Sequence, residues 1–278
     1  RTHGTPCHDC LLHHRRPCRQ GYEHELQRFF NRVDRNSVRT YLIMNREKTI
    51  IDSLEWGKAI SNKEEKLKVA VKIASMVKDG DIIGVGSGST AYLALQKIAE
   101  RIRMEQLHIR AIPTSQEIKM ACAQLGVPLT SLLEHKPDWT FDGADEIDSN
   151  HNMIKGRGGA MFKEKLLISS SPRTYIIADP SKMVSKLGSR FPVPVEIYPD
   201  ALTHAAQALE SLTPKEMKLR MAQGKDGPII TENGNLILDV WFDNIPDNLE
   251  NSIKSITGVI ESGLFMHYEV QILSSENL

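Results

Sequence analysis

DIIGVGSGST, residues 81–90, decides the fold. A short apolar run, Ile82 to Val85, reads as a strand that ends in a glycine-rich turn. The turn opens directly into TAYLALQKIAERI (90–102), where Ala91, Leu95, Ile98 and Ile102 share one helical stripe and Thr90 is the expected cap. A strand turning tightly into a helix is the first part of a βαβ unit.

The pattern continues in both directions. Upstream, KLKVAVKIASMV (66–77) places Leu67, Ala70, Val71 and Ala74 at helical spacing, and Gly80 stops it. Downstream, HIRAIPTS (108–115) reads as a strand followed by a helix to about Leu125. DWTFDG (138–143) and RTYIIADP (173–180) are further strands, with a helix over GAMFKEKLLISS (159–170) between them. Alternation of this kind predicts an α/β fold, a Rossmann-like and mostly parallel sheet with helices on both faces. Ligands of such sheets bind beyond the carboxyl ends of the strands. Attention therefore falls on GSGST (86–90), PTS (113–115), DGADEID (142–148) and ADPSK (178–182).

After FPVPVEIYPD (191–200) the texture changes. ALTHAAQALESL is helix-like, and PIIT and LILDV flank ENGN, a hairpin signal through Asn-Gly. The expected organisation is a main α/β domain over 47–190 and 264–278 and a smaller α+β domain over 191–263. MHYEVQILSS is expected to return to the main sheet.

Composition narrows the partners. The 278 residues are 40% apolar and 25% charged with zero formal charge, which favours neither nucleic acid nor membrane. No run approaches the roughly 18 apolar residues of a spanning helix. Residues 1–46 differ from the rest. They hold nine Arg and no Lys, three of the four cysteines and five of the ten histidines. Cys7 and Cys10 have zinc-like spacing, but no second CxxC or HxxxH follows. A targeting peptide fits the Arg richness and the missing Lys, but not the acidic residues or the few serines. The segment is expected to be a disordered or targeting extension. Cys122 alone in the body excludes a disulfide framework and points to a reducing compartment. That is the cytoplasm, or a plastid-type organelle if 1–46 is a transit peptide.

Four stretches carry chemistry. In GVGSGST the backbone N–H groups and the helix N-terminus suit an oxyanion, and Ser87, Gly88, Ser89 and Thr90 line the turn. The nucleotide signature GK[ST] is missing, so a small phosphate monoester or a carboxylate fits better. A tight turn that binds nothing has the same pattern. FDGADEID holds Asp142, Asp145, Glu146 and Asp148 around Gly143 and Ala144. Their spacing does not match a calcium loop; a strand-end magnesium ligand and a polar capping turn both fit.

In IKGRGGAMFKEK (154–165), Gly156, Gly158 and Gly159 around Arg157 mark a close backbone approach, with Lys155 just before. Glu164 shares a helical stripe with Ala160, Met161, Leu167 and Ile168. A carboxylate there is desolvated with a raised pKa, as a general base near neutrality requires. The other reading is an exposed Glu on a charged helix end. Lys182 in ADPSK follows a strand, placed to meet a phosphate or simply solvated.

The ordered set GSGST, PTS, DGADEID, KG-GGA-EK and ADPSK resembles the type A family of ribose-5-phosphate isomerases. Asp145 and Lys155 lie ten residues apart, and Lys155 and Glu164 nine. The likeness continues through LRMA, GPIITENGNLILD and GVIESGLF, over about residues 60–270. It implies interconversion of D-ribose 5-phosphate and D-ribulose 5-phosphate in the pentose phosphate pathway, without metal or organic cofactor. By resemblance, Glu164 is the general base, Asp142 opens the sugar ring, and Asp145 and Lys155 hold the reacting hydroxyls and the oxyanion. Ser87, Gly88, Ser89, Thr90, Gly143, Ala144, Gly156, Arg157, Gly158 and Lys182 are implied substrate contacts, with Lys66 as a phosphate contact. Arg157 stands where the family often has glycine, and an inward side chain there would reshape the pocket. A homodimer or homotetramer is the implied assembly. Two other readings share the fold: a non-catalytic sugar-phosphate sensor, and a coenzyme A transferase-like enzyme with a glutamate nucleophile.

Overall fold

The computed structural model describes residues 49–55 and 60–278. The expected extension over 1–46, with its zinc and targeting readings, lies outside the described residues. The parallel sheet is built from β1 (Ile82–Val85), β2 (Arg110–Pro113), β3 (Trp139–Asp142), β6 (Thr174–Ile177) and β12 (Gln271–Leu273). Their order is β12-β6-β3-β1-β2, and every neighbouring pair is parallel. MHYEVQILSS does return to this sheet, as β12 beside β6.

Register fixes the functional edge. Val85 lies opposite Phe141, and Asp142 opposite Ile176. The turns after β1, β3 and β6 therefore emerge side by side. Helices α1 (Lys63–Met76), α2 (Ser89–Glu105), α3 (Gln116–Leu125) and α4 (Met161–Ser170) connect or cover the strands. Ile73, Ile83, Leu95, Ile98 and Phe141 are fully buried in one apolar cluster. Each such side chain contributes roughly 1.5–3 kcal/mol by leaving water.

Two antiparallel sheets complete the sheet structure of the described residues. One has the order β10-β7-β9-β8, from β7 (Val193–Ile197), β8 (Glu216–Leu219), β9 (Leu236–Trp241) and β10 (Val259–Ser262). Helices α5 (Leu202–Glu210) and α6 (Leu249–Lys254) bury Leu209 and Ile253 in the same apolar cluster as Val195 and Leu238. The other has the order β11-β5-β4, from β4 (Glu146–Ile147), β5 (Met153–Ile154) and β11 (Leu264–Phe265). Among the described residues no helix is long and apolar enough to cross a membrane.

Three local expectations are corrected. Thr90 does not cap α2: the helix already begins at Ser89, and Gly88 holds the cap position with φ of 96°. PIIT is not a regular strand. Its Ile229 N–H donates to the Arg220 carbonyl, while β9 takes β7 and β8 as partners. The Asn-Gly turn itself does form, closed by bonds between Thr231 and Asn235 and between Gly234 and Thr231. Val71 is exposed rather than part of the α1 stripe, which runs through Lys66, Val69, Ala70, Ile73 and Ala74.

Candidate active site

Asp142, at the end of β3, organises the centre. Its Oδ1 accepts the N–H of Ser87 at 3.1 Å and that of Gly143 at 2.7 Å. The glycine turn after β1 passes so close that a Cβ on Gly86 would overlap the Asp142 carboxylate. That explains glycine at this position.

Lys155 reaches the same point from the turn after β5. Its Nζ lies 3.0 Å from Asp142 Oδ2 and 3.2 Å from Glu164 Oε2, and it donates to the Gly143 carbonyl. Lys155 is held because its N–H donates to Gly263 O at 2.9 Å, beside β11. The next residue, Gly156, has φ of 92°, and a Cβ there would press on Met161. This lets the chain turn directly into α4, which delivers Glu164. All three charged side chains are buried. Among the described residues neither Asp142 Oδ2 nor Glu164 Oε2 accepts a well-angled hydrogen bond. Both oxygens keep lone pairs for another partner.

Burial, then the charge of Asp142, pushes the Glu164 carboxyl up to about 8, against the opposing pull of Lys155. Burial also raises Asp142, with Lys155 and the two backbone N–H groups opposing. Burial pulls the Lys155 ammonium down, but Asp142 and Glu164 outweigh it and the net shift is upward. The lysine stays charged while the carboxylates compete for a proton, the pattern expected of an acid/base pair.

The cleft containing these groups has a volume of about 530 Å³. Ser87, Gly88, Ser89, Thr90, Asp142, Gly143, Ala144 and Asp145 line it, as do Lys155, Gly156, Arg157, Gly158, Glu164, Lys66 and Lys182. Every residue that the resemblance implies for catalysis or substrate contact is thus brought to one cavity. Asp145 Oδ2 accepts the Arg157 N–H at 3.1 Å, and the Arg157 side chain is exposed, with its guanidinium carbon 5.2 Å from the Phe191 ring centre.

At the other end Lys66 Nζ donates to Ser89 Oγ at 3.2 Å. Burial lowers the Lys66 pKa; Asp179 opposes this and the like charge of Lys182 adds to it. Two cations near the N-terminus of α2 form a ready anion site. Among the described residues no group of three or more His, Cys, Asp or Glu side chains is placed to hold a metal ion.

A family model described as "Ribose 5-phosphate isomerase A (phosphoriboisomerase A)" matches residues 110–277, a span that holds Asp142, Lys155 and Glu164. The ribose-5-phosphate isomerase A of Methanocaldococcus jannaschii is 44% identical over 209 residues, 74% of this chain and 92% of that protein. The chain belongs to the ribose 5-phosphate isomerase A family. A solved structure of the Methanocaldococcus jannaschii isomerase superposes with a TM-score of 0.73 at 42% identity, covering 76% of this chain and 95% of the other. A D-ribose-5-phosphate isomerase in complex with phospho-erythronic acid has the same TM-score at 33% identity, covering 77% and 95%.

In this member of the ribose 5-phosphate isomerase A family, several cleft residues escaped the sequence reading. Asp179 accepts the Ser181 N–H at 3.0 Å and caps the short turn that bears Lys182. The Asp-Pro-Ser string was a legible signal for it, since Asp before Pro favours a capped turn. Ser61 had no such signal, whereas Thr114 lies outside this cleft in the PTS stretch (113–115) after β2, which the strand-end rule marks. Ser61 lies 3.4 Å from Lys66 Nζ, and Thr114 shares a 2.8 Å hydroxyl bond with Ser87.

Proposed function

We infer that Glu164, Asp142, Asp145 and Lys155 divide between them the chemistry of ribose-5-phosphate isomerase A, the activity of this chain. In this reading Asp142 moves the ring-hydroxyl proton when the furanose opens. Glu164 then takes the proton from C2 of the open aldose. The C2 electron pair forms the enediolate double bond, and the carbonyl pair moves onto O1. Glu164 returns the proton to C1 while the O2 hydroxyl proton passes to O1 and the carbonyl forms at C2, and the product is D-ribulose 5-phosphate. Lys155 stabilises the oxyanion, and Asp145 holds a reacting hydroxyl. The glycine turn Ser87–Thr90, Lys66 and Lys182 receive the phosphate.

One observation carries this assignment. A buried lysine lies 3.0 and 3.2 Å from oxygens of Asp142 and Glu164 that have no other partner among the described residues, and the Glu164 carboxyl is pushed up to about 8. Such a base is poised for proton abstraction beside a carbonyl near neutral pH. The relative that binds phospho-erythronic acid supports a site for a phosphorylated sugar acid. A buried, unpaired Cys122 supports a reducing compartment such as the cytoplasm.

The test is ribulose 5-phosphate formation by the purified protein. Glu164→Gln is expected to lower kcat by about 10²–10⁴-fold while still binding a phosphorylated sugar acid. A Glu164→Gln variant with full turnover removes Glu164 from the role of base.

A further inference from the structure

The carboxylates of Asp142–Asp148 hold different loops. Asp142 holds the glycine turn, Asp145 the Arg157 backbone and Asp148 the Asn150–Asn152 turn. Glu146 takes no part in the chemistry above, yet it is fully buried. Its Oε2 accepts the Gly188 N–H at 2.7 Å, and its Oε1 accepts those of Arg190 at 2.6 Å and Phe191 at 2.8 Å. Three backbone donors converging on one carboxylate fix a loop firmly.

Ile147 holds the opposite end of that loop. It pairs with Met183, and its carbonyl accepts the Val184 N–H at 2.9 Å. The two residues of β4 therefore clamp segment 183–191 at both ends. The Arg190 guanidinium donates to the Ser181 carbonyl and ties the loop to the turn that carries Lys182.

What the clamp sets is the position of Phe191. Its ring centre lies 5.2 Å from the Arg157 guanidinium carbon and 6.0 Å from Lys182 Nζ, both within cation–π range. Arg157 and Lys182 come from different loops and both line the cleft, whereas Glu146 and Phe191 do not. An exposed arginine and a half-buried lysine otherwise lose considerable rotamer freedom on gripping an anion. A ring that already holds them reduces that cost.

We propose that Glu146 is a positioning residue for substrate binding: through the loop 188–191 it sets Phe191 as the platform that holds Arg157 and Lys182 toward the phosphorylated end of the substrate. This rests on the pentose-phosphate reading of the cleft. The effect falls on binding rather than proton transfer, because the ring meets the two cationic side chains, whereas the contact of Arg157 with Asp145 is made by the backbone N–H.

Steady-state kinetics with D-ribose 5-phosphate, and competitive inhibition by inorganic phosphate, test it on Phe191→Leu, Phe191→Trp and Glu146→Gln. Phe191→Leu is expected to raise both KM and the phosphate inhibition constant by about 3- to 10-fold, with kcat changed by less than about twofold. Phe191→Trp restores both constants, and Glu146→Gln shifts them in the direction of Phe191→Leu. If Glu146→Gln does not fold, the Phe191 pair still decides. Unmoved constants in Phe191→Leu, or a Trp variant no better than Leu, overturn the proposal while leaving the isomerase reading intact. A wild-type protein that forms no ribulose 5-phosphate overturns both.

Discussion

Lys155 and Lys165 are both buried, both face two carboxylates, and both lie near the ring of Phe265, at 5.5 and 4.7 Å. Their surroundings differ in one respect. Lys165 Nζ donates to Glu250 at 2.5 Å, Glu261 at 2.9 Å and the Leu264 carbonyl at 2.7 Å, which uses all three of its hydrogens. Its partners are satisfied in turn: Glu250 accepts the Met266 N–H, and Glu261 accepts Ser262 N–H and Lys254. Around Lys155, Asp142 Oδ2 and Glu164 Oε2 have no partner but the lysine among the described residues, and both residues line a cleft. Burial pushes Glu261 up, but Lys165, the Ser262 N–H and Lys254 together outweigh it, so its carboxyl ends below the ordinary value, whereas Glu164 ends above. A buried ion pair by itself therefore does not mark a site. The mark is unspent acceptor capacity facing a cavity, with a carboxyl driven toward neutrality.

The sharpest way to break this contrast is to remove each lysine. Lys155→Met is expected to lower kcat by about 10²–10³-fold, the scale of losing one preorganised donor to an oxyanion, with a smaller loss of urea stability than at Lys165, because the Glu164 carboxyl, already pushed up to about 8, takes up a proton when its cation is removed. Lys165→Met is expected to do the reverse. It strands two buried carboxylates, costs about 3–5 kcal/mol in urea unfolding, and leaves the folded fraction active. Equal losses of rate and stability in both variants would erase the distinction.

pH separates the two centres next. Glu164 has a folded pKa raised from 4.5 to about 8, so between these values the folded state holds a proton that the unfolded state lacks. Its stabilising contribution is complete below 4.5 and lost as pH rises through about 8. Glu261 is lowered, so its contribution is present above its ordinary value of 4.5 and lost as pH falls through the lower folded value. Thermal melts across pH should show Glu164→Gln flattening the alkaline limb and Glu261→Gln the acid limb. In kinetics, kcat/KM should climb with pH through an apparent value near 8 that belongs to the Asp142/Glu164 pair. A flat profile from pH 6 to pH 9, for either measurement, contradicts the assignment.

The smallest effect is expected at Lys254, the second cation on Glu261. Its side chain is 46% exposed. Lys254→Ala should cost less than about 1 kcal/mol, because water replaces most of what the contact supplies. A larger loss in urea unfolding would place Lys254 inside the buried network rather than at its edge.

Much of the molecule was legible from local pattern, and the remainder was set at long range. The run IIGV followed by GSG marked β1 and its turn, because a buried strand must be apolar and a close backbone approach must be glycine. Lys155 and Glu164 were legible as a glycine loop that opens a helix with one polar residue on its apolar stripe. Val71 was misread because the buried face of α1 also carries Lys66 toward Ser89, a choice that helix periodicity does not report. PIIT was misread because strand partners are chosen by the sheet, and β9 was already paired on both sides. Glu146 carried no local signal, since its three donors lie 42 to 45 residues further along the chain.

β12 has a consequence for how the protein is made. The Leu273 carbonyl accepts the N–H of Ala178 at 3.1 Å, immediately before Asp179 and the turn that carries Lys182. A ribosome delivers this support long after β6 has emerged. Until then the nascent sheet presents β6 as an open edge, able to pair with a neighbouring chain. The end of the cleft that carries Lys182 is thus the last part of the parallel sheet to be braced, and its assembly is tied to the slow, non-local step of folding.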